Sequence, residues 1–152
     1  MNRAITGFRQ DEAGDWVAEL ACLHRQHVRH QPPFRQAPWV LDGRERAARV
    51  GSLLDCPLCD RAELPGELRV VRTTDVWDEA TMPAGLRRDH RVAAGTWGRI
   101  TVEAGRLRFR AATEPPLDTV VEPGSHQPIP PEVVHSVEPL GPVRFVVEFL
   151  AP

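Results

Sequence analysis

Three cysteines and six histidines are the side chains of this chain whose types and spacing could do chemistry. Cys22 and His24 stand two apart, and Cys56-Pro-Leu-Cys59 is a Cys-x-x-Cys. Three thiolates and one neutral imidazole are the donor set of a closed, structural zinc tetrahedron, and that use absorbs the odd cysteine count. Spacing leaves His27 and His30 as substitutes for His24 if the register slips, since His30 shares its strand parity and His27 does not. Two other readings of the cysteines compete. A redox Cys-x-x-Cys normally opens a helix in a βαβ context that this short segment lacks, and buried thiols also serve as plain small hydrophobes.

A second group, His90, His126 and His135, could bring three imidazoles to a divalent transition metal: zinc, iron, nickel or copper. Three such ligands leave a coordination position open for water or substrate, which is the form of a catalytic site. A lone inward histidine is more often a hydrogen-bonded core residue, and a Ser-His in a proline-rich loop is more often exposed. Glu132 and Glu148 could serve as carboxylate ligands, although a solvent-facing role suits either better. Trp77 and Trp97 could line a pocket mouth, with core packing the blander account. Arg88 shares parity with His90 and could attract an oxyanion from inside a barrel, against a surface position in so arginine-rich a chain.

The elements that must position these residues are short. Ile5–Gln10 and Trp16–Cys22 read as a hairpin around Asp11–Asp15, and on an extended strand Cys22 and His24 leave the same face. Asp42 caps a helix expected over Asp42–Leu53, with Val50 and Leu53 on one side, which delivers the chain to Cys56. Some sixty residues with few large apolar side chains bury little core, so a metal staple is the expected remedy. After the Glu63-Leu-Pro-Gly66 linker, strands are expected at about Leu68–Arg72, Leu86–Val92, Arg99–Val102, Leu107–Arg110, Thr119–Val121, Val133–Val137 and Val143–Leu150. Ile100 and Val102, then Leu107 and Phe109, alternate with polar residues around Glu103-Ala-Gly-Arg106, which predicts a hairpin with Gly105 at its turn. Strands of this number and spacing predict a sandwich or barrel.

Composition narrows the function classes. All nineteen basic residues are arginines, so a lysine Schiff-base mechanism is excluded. The segment His24–Arg35 interleaves arginine and histidine with Phe34, yet residues 1–60 hold eight arginines against eight carboxylates, and nucleic-acid binding is not expected. A net charge of −2 offers no pull toward an anionic membrane surface, no apolar run reaches a membrane span, and the N-terminus lacks a signal-peptide core. The cytoplasm is the expected compartment.

Two resemblances add to this. The pattern Ile-Thr-Gly-Phe8, Asp15-Trp-Val-Ala-Glu-Leu20, His27-Val-Arg-His30, Pro38-Trp-Val40 and Cys56-Pro-Leu-Cys59 resembles a small uncharacterised bacterial, zinc-ribbon-like domain family, which implies no activity. In the second half, Gly124, Pro130 and His135 match the second cupin motif, while Glu132 and Pro139 stand where it has Gly and Asn. The first cupin motif fits only at His90 and Gly105, with Val92 in place of a second histidine, so the family's three-His-plus-Glu site is incomplete. A closer likeness is the cupin-like domain of the tellurite-resistance protein B family. It rests on Val76-Trp77, Leu86, His90, Gly95-Thr-Trp-Gly98, Ile100-Thr-Val102, Gly105-Arg-Leu107, Ser125-His126, Glu132, His135 and Val137-Glu138. In the best-known members of that family the domain precedes a methyltransferase that uses S-adenosylmethionine; this chain carries no Gly-rich nucleotide loop, so methyl transfer is not expected of it.

The sequence therefore predicts a mainly β chain: a zinc-stapled hairpin-plus-helix module over 1–62, then a cupin-like double-stranded β-barrel, a jelly roll, over 67–152. The expected function is a small metal-binding protein that holds a small molecule or oxyanion in the barrel, in tellurite, oxyanion or metal stress as the resemblance implies. The alternative is a cupin metalloenzyme, an oxygenase, hydrolase or isomerase, on His90, His126 and His135. A possible open sheet edge makes a homodimer the expected assembly.

Overall fold

The computed structural model describes residues 1–30 and 34–152; the Gln31-Pro-Pro33 part of the arginine-histidine segment lies outside the described residues. The chain divides into two compact units, Asn2–Cys56 and, with Met1, Pro57–Pro152.

The first unit is a curled four-stranded antiparallel sheet. Its strands are β1 (Asn2–Gln10), β2 (Trp16–Leu20), β3 (Arg25–His27) and β4 (Leu53–Asp55), in the spatial order β3-β2-β1-β4. The β1–β2 turn forms because Asp11 Oδ1 accepts the Ala13 and Asp15 amides while Gly14 takes a positive φ. Ile5, Val17, Ala18, Leu20, Val28 and Val40 form the buried side of this unit. Helix α1 (Gly43–Arg49) is capped by Asp42, whose carboxylate accepts the Arg44 and Glu45 amides, as the sequence predicts.

That helix stops earlier than expected. The chain turns at Gly51 with φ +87°, and Leu53–Asp55 is drawn into the sheet beside β1. No residue of α1 is buried, and Val50 and Leu53 are exposed. The helix is held by its arginines instead: the Arg46 guanidinium lies 3.5 Å from the Trp16 ring centroid and that of Arg49 4.1 Å from Trp39.

The second unit contains helix α2 (Pro57–Asp60) and two antiparallel sheets. Its strands are β5 (Arg69–Thr73), β6 (Trp77–Asp78), β7 (Trp97–Ala104), β8 (Leu107–Ala111), β9 (Leu117–Val121), β10 (His126–Ile129), β11 (His135–Pro139) and β12 (Arg144–Ala151). One sheet runs β10-β7-β12-β5 with β6 also paired to β12, and the other runs β11-β8-β9. Ile100, Val102 and Phe145 from the first and Leu107, Phe109 and Val137 from the second belong to one buried cluster.

The expected hairpin at Gly105 is corrected by this topology. Both edges of β7 are occupied, by β12 and β10, so β8 has nothing to pair with there and passes into the other sheet between β11 and β9. Gly105 has φ +76°, and a Cβ there would stand 2.1 Å from the Pro142 carbonyl oxygen; the corner thus requires glycine for closeness as well as for its backbone angle. The strand expected at Leu86–Val92 is a 3-10 turn, Ala84–Arg87, followed by a single bridge between His90 and His135. Pro128 lies within β10, tolerated because that strand is at a sheet edge. Among the described residues no helix is long and apolar enough to cross a membrane.

Candidate functional site

Cys22, His24, Cys56 and Cys59 come together, all buried, with one ligand atom of each within 4.8 Å of every other. Two tight turns present them. Cys22 and His24 follow β2 in a turn where Leu23 takes φ +72° and the Leu23 amide donates to the Leu20 carbonyl at 2.7 Å. The extended strand expected there is replaced by this turn, which still leaves the thiol and the imidazole pointing to one place. Cys56 and Cys59 flank the start of α2, where the Ala62 amide donates to the Cys59 carbonyl at 3.1 Å.

The distances fit a metal. Cys22 Sγ and Cys56 Sγ are 3.8 Å apart, and His24 Nδ1 lies 3.5 Å from the first and 3.4 Å from the second. A zinc tetrahedron with bonds of about 2.3 Å to sulfur and about 2.1 Å to nitrogen has edges of about 3.8 Å and 3.6 Å, so a zinc-type ion would fit with little movement of these donors. A disulfide would need its sulfurs about 2.05 Å apart. Burial pulls the His24 pKa down, but hydrogen bonds to the Cys22 and Cys56 sulfurs outweigh it and raise it to about 9 in the metal-free cluster.

His27 and His30, the register alternatives, lie elsewhere and are exposed. His27 Nε2 sits 2.6 Å from Asp11 Oδ2 on the first hairpin, and this hydrogen bond holds the Asp11 carboxyl below its ordinary value. Asp15 completes that second donor group, and it also pairs with Arg29 at 3.3 Å.

The second unit encloses a cavity of about 230 Å³. Ile100, Ile129, Phe145, Val147 and Phe149 line it from the larger sheet and His135 and Val137 from β11; Trp77, Pro83, Gly85, Leu86, Val92, His90 and Arg72 complete the wall. His90 and His135 are brought together: each donates its amide to the other's carbonyl, at 2.9 and 3.0 Å, and their rings meet edge-on with centroids 5.3 Å apart. His135 is 3% exposed, and burial, with His90 beside it, holds its pKa below the ordinary histidine value. Its Nδ1 donates to the Val133 carbonyl at 3.0 Å, so Nε2 carries the free lone pair.

The third histidine is placed differently. His126 is exposed on β10 opposite Thr101, and among the described residues no group of three metal donors gathers in this unit. Glu132 is exposed and Glu148 pairs with Arg99 at 2.7 Å. Trp77 lines the cavity and meets Phe145 edge-on, Trp97 is fully buried, and Arg88 is exposed at the end of the 3-10 turn. The arginine at the cavity is Arg72, whose guanidinium carbon lies 4.2 Å from the Phe149 ring centroid. Sequence reasoning missed it because nothing separates it from eighteen other arginines except its parity with Val70 on β5.

Glu132 has φ +61°, in the left-handed region, at the place where the cupin motif has its second glycine. The backbone angle that favours glycine is present at this position without the glycine. Comparison with known families agrees: residues 72–147, half of the chain, match the TehB-like domain. The chain belongs to the TehB-like domain family.

Residues 6–63, ahead of the TehB-like domain, match a protein family of unknown function, DUF3565. Among curated relatives, the "Probable S-adenosyl-L-methionine-dependent methyltransferase TehB" of Haemophilus influenzae (strain Rd) is 34% identical over 82 residues, and its counterpart in strain 10810 is likewise 34% identical. The match covers 51% of this chain and 28% of each relative, so the chain spans little more than a quarter of their length. The crystal structure of TehB from Haemophilus influenzae superposes with TM-score 0.51 at 29% identity, over 56% of this chain and 32% of that one. A crystal structure of an Escherichia coli K12 protein superposes with TM-score 0.54 at 25% identity, over 59% of this chain and 97% of that one.

Proposed function

We propose that this chain is a small-ligand-binding protein whose TehB-like domain, a cupin-like double-stranded barrel, holds its ligand in the cavity, while zinc at Cys22, His24, Cys56 and Cys59 staples the module before it. Oxyanion or metal stress is the setting that the family resemblance implies. The observation that carries the reading is the 230 Å³ cavity, walled by apolar side chains and bearing a few polar groups at His90, His135 and Arg72. Binding sites for small molecules have this make-up. The metalloenzyme alternative has two of its imidazoles at the cavity and its third, His126, exposed on β10. Ligand binding is therefore preferred.

The test is an amide NMR titration of the full chain with phenol, a small probe that is mainly apolar. Phenol is expected to shift the amides of Val92, Ile100, Val137 and Phe145, and Val147→Phe, which fills the space, to abolish those shifts. Unmoved cavity amides, or shifts that survive Val147→Phe, would defeat the reading.

A further inference from the structure

The polar groups of the cavity are specific enough to name a ligand class, an inference that rests on the binding function just proposed. The Arg72 guanidinium makes a cation–π contact with Phe149 and no side-chain hydrogen bond or ion pair with any described residue. Among the described residues, no carboxylate lines the cavity. A guanidinium beside an apolar space, uncompensated by an acid, favours an oxyanion and is shaped to take a carboxylate with two parallel hydrogen bonds.

His135 asks for the opposite partner. Its Nδ1 proton is given to the Val133 carbonyl, so Nε2 can only accept while the ring is neutral, and no described residue donates to it. Apart from His90, the rest of the lining is mostly hydrocarbon. A bare inorganic oxyanion would leave the apolar wall uncovered.

We infer that the ligand is a small organic acid with an apolar or aromatic body: its carboxylate pairs with Arg72, and a hydroxyl on the same body donates to His135 Nε2. Size agrees. A cavity of about 150 Å³ holds benzene, and in proportion the 230 Å³ here suits about nine or ten non-hydrogen atoms. A hydroxybenzoate is of that size.

The experiment is calorimetric or NMR titration of the full chain with 3- and 4-hydroxybenzoate, benzoate, phenol and sodium tellurite. One hydroxybenzoate isomer is expected to bind about tenfold or more tighter than phenol and several-fold tighter than benzoate. Arg72→Met, an edge-strand substitution that keeps the stem over Phe149, should abolish the hydroxybenzoate's advantage over phenol, both measured on the same variant. Phenol binding as tightly as either acid, an advantage that survives Arg72→Met, or tellurite binding tighter than both acids would each overturn the assignment while sparing the cavity. Benzoate equal to both hydroxybenzoates would overturn the hydroxyl contact to His135. Failure of every aromatic probe, phenol included, would instead bring down the binding function itself.

Discussion

At the scale of single residues, the metal donors were the most legible feature of the chain, because chemistry restricts what a tetrahedron accepts. Two pairs of donors and an odd cysteine pointed to Cys22, His24, Cys56 and Cys59 before any geometry was available, and the 3.8 Å sulfur separation has the length of a zinc tetrahedron's edge. His24 sharpens this into a pH prediction. With its pKa raised to about 9 in the metal-free protein, it holds a proton at neutral pH on the ring that must supply a lone pair to zinc. Zinc uptake at pH 7 should therefore release at least one proton per chain, and apparent affinity should climb about tenfold or more per pH unit between 6 and 8. Calorimetry in buffers of different ionisation enthalpy measures the release; a value of zero would contradict the assignment. Linkage has the matching sign in the metal-free protein. The imidazolium's contribution is full below its ordinary value of about 6.5 and is lost as the pH rises through about 9. Arg72 and the lone pair of His135 were not legible, since both depend on which way a sheet faces and on which ring nitrogen a carbonyl engages.

Among the elements, strand existence was easier to read than strand pairing. Alternation marked β8 and β12 nearly to their ends, the middle of β7 and part of β11, because one face of each is buried. It could not say that β7 and β8 part company at Gly105, because pairing depends on which edges are already taken. Glu132 hides a motif position in a similar way, carrying a glycine's backbone angle under another side chain. The corner makes a direct prediction. Gly105→Ala would press a methyl group against the Pro142 carbonyl and Val143 Cα and fix a left-handed angle on a residue with a Cβ. We expect a loss of about 2–4 kcal/mol in urea unfolding. A loss under about 0.5 kcal/mol would mean that this corner is not packed as described.

For the molecule as a whole, the proposal puts metal and ligand in different places: a zinc-type ion at the Cys3His cluster and a small ligand in the cavity of the TehB-like domain. Likeness to the TehB-like family does not by itself make that division. It follows from four buried donors gathered at one site and from two imidazoles at the other whose expected third, His126, is exposed. The most direct test is metal per chain by inductively coupled plasma mass spectrometry on the full chain, on Cys56→Ser and on His135→Gln. The account predicts one zinc per chain, largely lost in Cys56→Ser and kept in His135→Gln. Metal absent from the unaltered chain, or lost with His135→Gln while Cys56→Ser retains it, would contradict it.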